Sequence, residues 1–246
     1  MSADGVLLFG RYAFAPNRLG YCGPEDNQAL LEYVAAKNPD RGLVELAKRF
    51  EGAYPYLHLI AQANRIADPF DLRVVEAYWI GNRLLDTVQP AAFHESLDSR
   101  FRARMTASEF GWLARKVELA ARPHHSFHVF DVYVRAGLMR DERAGIALET
   151  MDACRVSWGR VSLVEPADLV VERPRLELTC GKLTLSEPCT MRVSRQLDGK
   201  GFIDQVQVGD VVSIHWRWAC EVLSPAALAR LNMASRRSME LANLTF

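Results

Sequence analysis

The strongest constraint on the fold is a change in the pattern of apolar residues after Cys154. Before this point, apolar residues recur at helical spacing, as at Leu30, Leu31 and Val34. After it, short runs rich in β-branched residues are separated by turn residues such as Gly209-Asp210. Several short strands at close spacing are typical of a small antiparallel β-barrel. We therefore expect an α+β chain, with an all-helical domain at residues 1–152 and a β-barrel with a C-terminal helix at residues 153–246.

Length and composition limit the function classes. The chain has 246 residues, a formal net charge of zero and 49% apolar residues, which indicates a soluble globular protein. A balanced charge gives no electrostatic reason to expect nucleic acid or a membrane as a partner. No run approaches the roughly 20 apolar residues of a membrane span, and Asp4 lies where a signal peptide needs basic residues. We expect a cytoplasmic protein.

The cysteines support the same compartment. The chain contains five of them, an odd number, widely spread and without a Cys-x-x-Cys pair. They are Cys22, Cys154, Cys180, Cys189 and Cys220. This distribution favours reduced thiols over a disulfide framework or a structural zinc site.

Two local patterns in the helical half lead to definite expectations. Residues 9–24 are rich in aromatic residues and glycine, and they predict packed irregular chain in which Cys22 is a potential ligand. Pro55 lies inside apolar, helix-like sequence and predicts a kink.

The end of the chain reads as turn, strand and helix. After Gly209-Asp210, residues 211–218 are β-branched and aromatic and predict a strand that carries His215. Ser224 is a candidate N-cap, and Pro225 then occupies the first position of a C-terminal helix.

Two motifs in this half resemble those of a known family. The first comprises Cys154, Gly159 and Val161, and the second comprises Gly209, Asp210, Val212, His215 and Ala219. Together they resemble the HypC/HupF family of nickel–iron hydrogenase maturation chaperones, which are small β-barrel proteins with a C-terminal helix. The resemblance covers about 70 residues and implies a HypC-like, OB-like barrel. Trp158 stands in place of the family's proline, Arg217 replaces a glycine, and Cys154 is internal where the family cysteine is N-terminal.

The resemblance implies that Cys154 and His215 are metal ligands. In the family, the two corresponding residues hold an Fe(CN)2CO fragment that is shared with a scaffold protein and passed to the hydrogenase large-subunit precursor. A thiolate and a neutral imidazole suit low-spin iron or another soft to borderline metal. The implied function is therefore an accessory protein of hydrogenase maturation, with iron as its cargo and the precursor or scaffold protein as its partner.

A histidine cluster supports a different hypothesis. His124, His125 and His128 fall within five residues, and helical spacing would place His124 with His128, or His125 with His128, on one face as two metal ligands. Asp131 could orient one ring, and Glu76 would be a candidate general base or metal ligand if it were buried next to His124 or His128. This reading predicts a metal-dependent enzyme, with no catalytic residue assigned. The plainer interpretation is a helix start in which one histidine caps or packs and the others are solvated.

The helical half is otherwise similar only to an uncharacterised bacterial family of the same overall length, which implies no activity. Geometry separates the hypotheses. A Cys154 sulfur within about 4 to 6 Å of a His215 nitrogen on an exposed rim would favour the carrier. Three histidines converging in a cleft would favour the enzyme, and dispersed side chains would leave an interaction module without a metal.

Overall fold

The computed structural model describes residues 3–25, 28–133 and 144–245. Nine α-helices precede the first strand in these ranges, and a tenth follows the last strand. They are α1 (Ala3–Arg18), α2 (Gln28–Ala35), α3 (Arg41–Lys48), α4 (Tyr54–Ala63), α5 (Leu72–Trp79), α6 (Pro90–Phe101), α7 (Ala107–Glu118), α8 (His125–Phe127), α9 (Ala144–Cys154) and α10 (Pro225–Ala242). Short 3₁₀ turns lie at Arg83–Thr87 and Arg102–Arg104, and a π-helical segment, His128–Tyr133, continues α8.

Capping side chains set several helix starts. Asp40 accepts a hydrogen bond from the backbone N–H of Leu43 and begins α3. Thr106 and Glu109 form a reciprocal capping box at the start of α7. Ser224 accepts from the N–H of Ala227 ahead of Pro225, so the predicted start of the C-terminal helix is confirmed.

Two expectations for the helical half are wrong. Residues 9–18 belong to α1, and only the segment that follows Arg18 is irregular. Pro55 lies in the first turn of α4, where its missing N–H costs nothing, so it starts the helix and does not kink it.

The second half forms a closed five-stranded β-sheet. Its strands are β1 (Ser157–Val164), β2 (Asp168–Thr179), β3 (Lys182–Ser194), β6 (Val211–His215) and β7 (Trp218–Val222). They pair in the order β1-β2-β3-β7-β6, and β6 returns to β1 to close the barrel. All pairs are antiparallel except the single bridge between Ser194 and Trp218. Two short strands, β4 (Gln196–Leu197) and β5 (Lys200–Gly201), form a separate pair. The α+β class is confirmed, while the HypC-like, OB-like character remains a prediction.

The expected strand at residues 211–218 is interrupted. Trp216 and Arg217 have φ values of 51° and 59° and form a two-residue hairpin turn between β6 and β7. Such turns require positive φ at both central residues and normally use glycine or asparagine. A tryptophan followed by an arginine therefore gives no turn signal in the sequence.

The main hydrophobic core joins both halves of the chain. Phe14 of α1 contacts Trp218 of β7 with a ring separation of 4.8 Å and Phe202 at 5.5 Å. Leu231 of α10 is fully buried in the same core. A second core fills the barrel, with Val171 and Ile214 among its members. The helices therefore pack directly on β6 and β7, whereas the division at residue 152 remains a prediction. Among the described helices, none is both long and apolar enough to cross a membrane.

Candidate metal centre

Three potential metal ligands meet where α8, α9 and β6 end against one another. His125 begins α8, Cys154 ends α9 and His215 ends β6. One ligand atom from each lies within 4.8 Å of the other two. Because metal–nitrogen and metal–sulfur bonds are about 2.0–2.3 Å long, ligands of one tetrahedral ion lie about 3.5–4 Å apart. The separation of up to 4.8 Å is somewhat longer than this, so the three side chains would have to move closer together to hold one ion.

The β6–β7 hairpin places Cys154 beside His215. The backbone N–H of Trp216 donates to the carbonyl of Ala153 at 2.8 Å. This bond satisfies one of the free carbonyls at the end of α9 and ties that helix end to the hairpin turn. The residues on either side of the bond, Cys154 and His215, are thereby held next to each other.

One ring nitrogen of His215 is free to bind a metal. The residue is 1% exposed, and its Nδ1 lies 2.6 Å from the carbonyl oxygen of Tyr12. A carbonyl only accepts, so Nδ1 carries the hydrogen and Nε2 keeps a lone pair. That Nε2 is buried and has no hydrogen-bond partner among the described residues. Burial lowers the pKa of His215 to about 4, so the ring is neutral at physiological pH, as metal ligation requires.

His125 is engaged at both ring nitrogens. Its Nε2 lies 2.8 Å from the carbonyl oxygen of Cys154, and its Nδ1 lies 3.2 Å from the hydroxyl of Tyr78. Burial, with a smaller contribution from His215, holds the pKa of His125 well below its usual value. Trp79 packs against both imidazoles, with ring separations of 4.5 Å to His125 and 5.4 Å to His215. The two histidines are therefore fixed in an apolar, aromatic setting.

Cys154 is the most accessible of the three. The residue as a whole is half-buried, whereas both histidines are buried. Burial raises the pKa of its thiol to about 12. At physiological pH Cys154 is therefore a neutral thiol, and ligation of a metal would release its proton.

The predicted histidine cluster does not form one site. His124 precedes α8 in an extended conformation and accepts from the N–H of Ser126, so it caps the helix and loses its helical relation to His128. The ring of His128 is 6.4 Å from that of His125, and its Nδ1 pairs with the hydroxyl of Tyr56 at 3.1 Å. Of these three histidines, only His125 lies with Cys154 and His215. The prediction that all three histidines converge in one cleft is therefore wrong.

The two acidic residues considered for this cluster, Asp131 and Glu76, form ion pairs with other side chains. Asp131 forms a buried ion pair with Lys116. Glu76 accepts from Asn82 at 2.9 Å and pairs with Arg230 at 2.6 Å. The groups that hold the histidines are instead Tyr78, Tyr56 and the Tyr12 carbonyl, which the sequence did not distinguish from ordinary core residues.

The distance expected for a carrier is met, but the exposed rim is not, because His215 is buried. A groove of about 470 Å³ lies elsewhere, lined by residues of β3 and α10 such as Leu185 and Met239, and includes none of the three ligands.

Comparison with curated proteins and with solved structures gave no match. The resemblance to the HypC/HupF family therefore remains a prediction. The sequence profile of one family covers residues 1–246. This match is consistent with the likeness of the whole chain to an uncharacterised family. The chain belongs to the family of unknown function DUF6390.

Proposed function

We propose that this protein binds a single transition-metal ion through His125, Cys154 and His215. The observation that carries the proposal is the convergence of three ligand atoms, from three separate elements, within 4.8 Å. One thiolate and two neutral imidazoles form a ligand set suited to zinc, copper or iron.

The free Nε2 of His215 also supports a ligand at this point. It is buried without a hydrogen-bond partner among the described residues, although the other nitrogen of the same ring is firmly bonded. An unsatisfied buried polar atom costs about 1–3 kcal/mol. Binding a metal at Nε2 would remove that cost.

We further propose that the protein is a metal carrier, as an accessory protein in nickel–iron hydrogenase maturation. Two of the three residues, Cys154 and His215, are those that the HypC/HupF-like motifs singled out. Cys154 is the least buried of the three ligand residues, and a partner could take the ion from it by thiolate exchange. The cargo would be iron as its Fe(CN)2CO fragment, and the partner would be the large-subunit precursor or the scaffold protein.

A metal-dependent enzyme is the second candidate. Three protein ligands leave one position of a tetrahedral ion open, which is the arrangement of catalytic zinc sites. We favour the carrier because two of the three ligand residues, Cys154 and His215, are those of the HypC/HupF-like motifs.

The test is metal content and infrared spectroscopy on protein purified without oxygen from cells that express the hydrogenase maturation machinery. Wild type is compared with alanine variants of the three ligands, and His128→Ala and Cys189→Ala serve as matched controls because neither residue is in the site. Cyanide and CO bands that vanish only in the ligand variants would support the carrier. Metal without such bands would reject the hydrogenase role and favour the enzyme. A wild-type protein that holds no metal would overturn the proposal.

A further inference from the structure

The two histidines of the proposed site differ in whether a ring nitrogen is free to bind a metal ion. His215 already presents a lone pair at Nε2, because its Nδ1 hydrogen is fixed on the Tyr12 carbonyl at 2.6 Å. His125 presents none, because both of its nitrogens are hydrogen-bonded. A metal ion can therefore bind His215 directly but must displace a hydrogen bond of His125.

The partners of His125 fix its tautomer. The Cys154 carbonyl can only accept, so Nε2 carries the hydrogen in this bond of 2.8 Å. Nδ1 then has the lone pair and accepts from the hydroxyl of Tyr78. Nε2 faces the Cys154 residue through this carbonyl, and we take it as the nitrogen that would ligate an ion shared with the Cys154 sulfur.

We propose that Tyr78 is a positioning residue that allows His125 to change tautomer when the metal binds. This inference rests on the proposed function. On binding, the ring loses the proton at Nε2 and gains one at Nδ1, so its net charge stays zero. The hydroxyl of Tyr78 rotates from donor to acceptor and keeps its own proton. Tyrosine suits this role because its hydroxyl can act in either sense, unlike a carbonyl or a carboxylate.

The fold supplies a matched control one turn away. Tyr56 and His128 form a second tyrosine–histidine pair with a similar separation, 3.1 Å between the hydroxyl and Nδ1. The rings of Tyr56 and Tyr78 are stacked at 5.5 Å, so both lie in the same aromatic core. His128 is outside the ligand cluster. Tyr56→Phe therefore removes an equivalent hydroxyl without touching a ligand, while Tyr78→Phe removes the one that orients His125.

Nitrogen-15 NMR of histidine-labelled protein, without metal and with one equivalent of zinc, tests the tautomers. We expect His125 to be protonated at Nε2 without zinc and at Nδ1 with zinc, and His215 to be protonated at Nδ1 in both. A metal-free His125 protonated at Nδ1, or one that keeps its Nε2 hydrogen with zinc bound, would overturn the inference.

Zinc affinity gives the second readout. Tyr78→Phe should raise the dissociation constant about 10- to 100-fold, as is usual when a hydrogen-bond partner of a ligating histidine is removed. Tyr56→Phe should leave it at the wild-type value. Equal affinities for wild type and Tyr78→Phe would refute the role of Tyr78 and leave the metal site intact. A wild-type protein that binds no zinc would overturn the proposed function and this inference together.

Discussion

The logarithm of the zinc association constant of the proposed site should rise linearly with pH. The slope of this line follows from the burial of the ligands. A thiol must lose its proton to bind, so protons and metal compete at Cys154. Burial raises the pKa of this thiol to about 12, and it lowers the pKa of His215 to about 4 and that of His125 well below its usual value. Between pH 6 and 9, Cys154 is therefore protonated in the free protein and both histidines are neutral.

The magnitude follows directly. One proton is released for each ion bound throughout this range, so the association constant should increase tenfold per pH unit. From pH 6 to 9 the increase is about a thousandfold, or about 4 kcal/mol at 1.36 kcal/mol per unit. A solvated thiol with a pKa of about 8.5 would flatten the line above that pH, and solvated histidines would steepen it below about pH 6.5.

The assay is competition with a chelator of known proton and zinc affinity, repeated at intervals across this pH range. Cys154→Ala is the control, because it should bind weakly and lose the dependence on pH. A plateau above pH 8.5 in wild type would show an exposed thiol and refute the reasoning from burial. A slope near two below pH 6.5 would show that a histidine ligand is protonated in the free protein.

Three further predictions concern stability and follow from other contacts. The pKa of His124 and of His215 is lowered by burial to about 4 against about 6.5 in the unfolded chain, so unfolding takes up protons between these values. The free energy of unfolding should have its full value above pH 6.5 and fall by several kcal/mol towards pH 4. Denaturant titrations that give the same free energy of unfolding over this range would contradict the prediction. Arg217 has a φ of 59°, so Arg217→Gly should raise the free energy of unfolding by up to about 1 kcal/mol and Arg217→Ile should lower it; thermal melts showing the opposite order would refute strain at this turn. Asp152 pairs with Arg155 and Arg173, whose side chains are 1% and 3% exposed, so Asp152→Ala should cost about 3–5 kcal/mol in urea unfolding, whereas a loss below 1 kcal/mol would show that the arginines find other partners.

The sequence predicted the general architecture because the local signals agree with the global fold. Apolar spacing changes after Cys154, and α9 ends at that residue before β1 begins at Ser157. The start of α10 was recognisable because Ser224 and Pro225 are a cap and a first-turn residue in any context. By contrast, α1 was missed because Phe9, Tyr12 and the residues around them are buried on nearly every side, which removes the polar face that marks a helix.

The candidate site was predictable only in part. Cys154 and His215 were singled out by the two motifs, and the structure places one ligand atom of each within 4.8 Å of the other. His125 was predicted to act with His124 and His128, whereas it lies with Cys154 and His215. Spacing along a helix gives no information about a separate element that ends beside it. Tyr78 gave no signal, since a tyrosine in an apolar helix is usually a core residue. Its role depends on which ring its hydroxyl reaches, and only the tertiary structure contains that information.

Cobalt(II) titration of the metal-free protein tests the central claim most directly, because a thiolate ligand gives a charge-transfer band and tetrahedral geometry gives intense visible bands. The account predicts saturation at one equivalent, a thiolate band that is absent in Cys154→Ala, and weakened binding in His125→Ala and His215→Ala but not in His128→Ala. Absence of cobalt binding in wild type, or a Cys154→Ala spectrum identical to that of wild type, would contradict it.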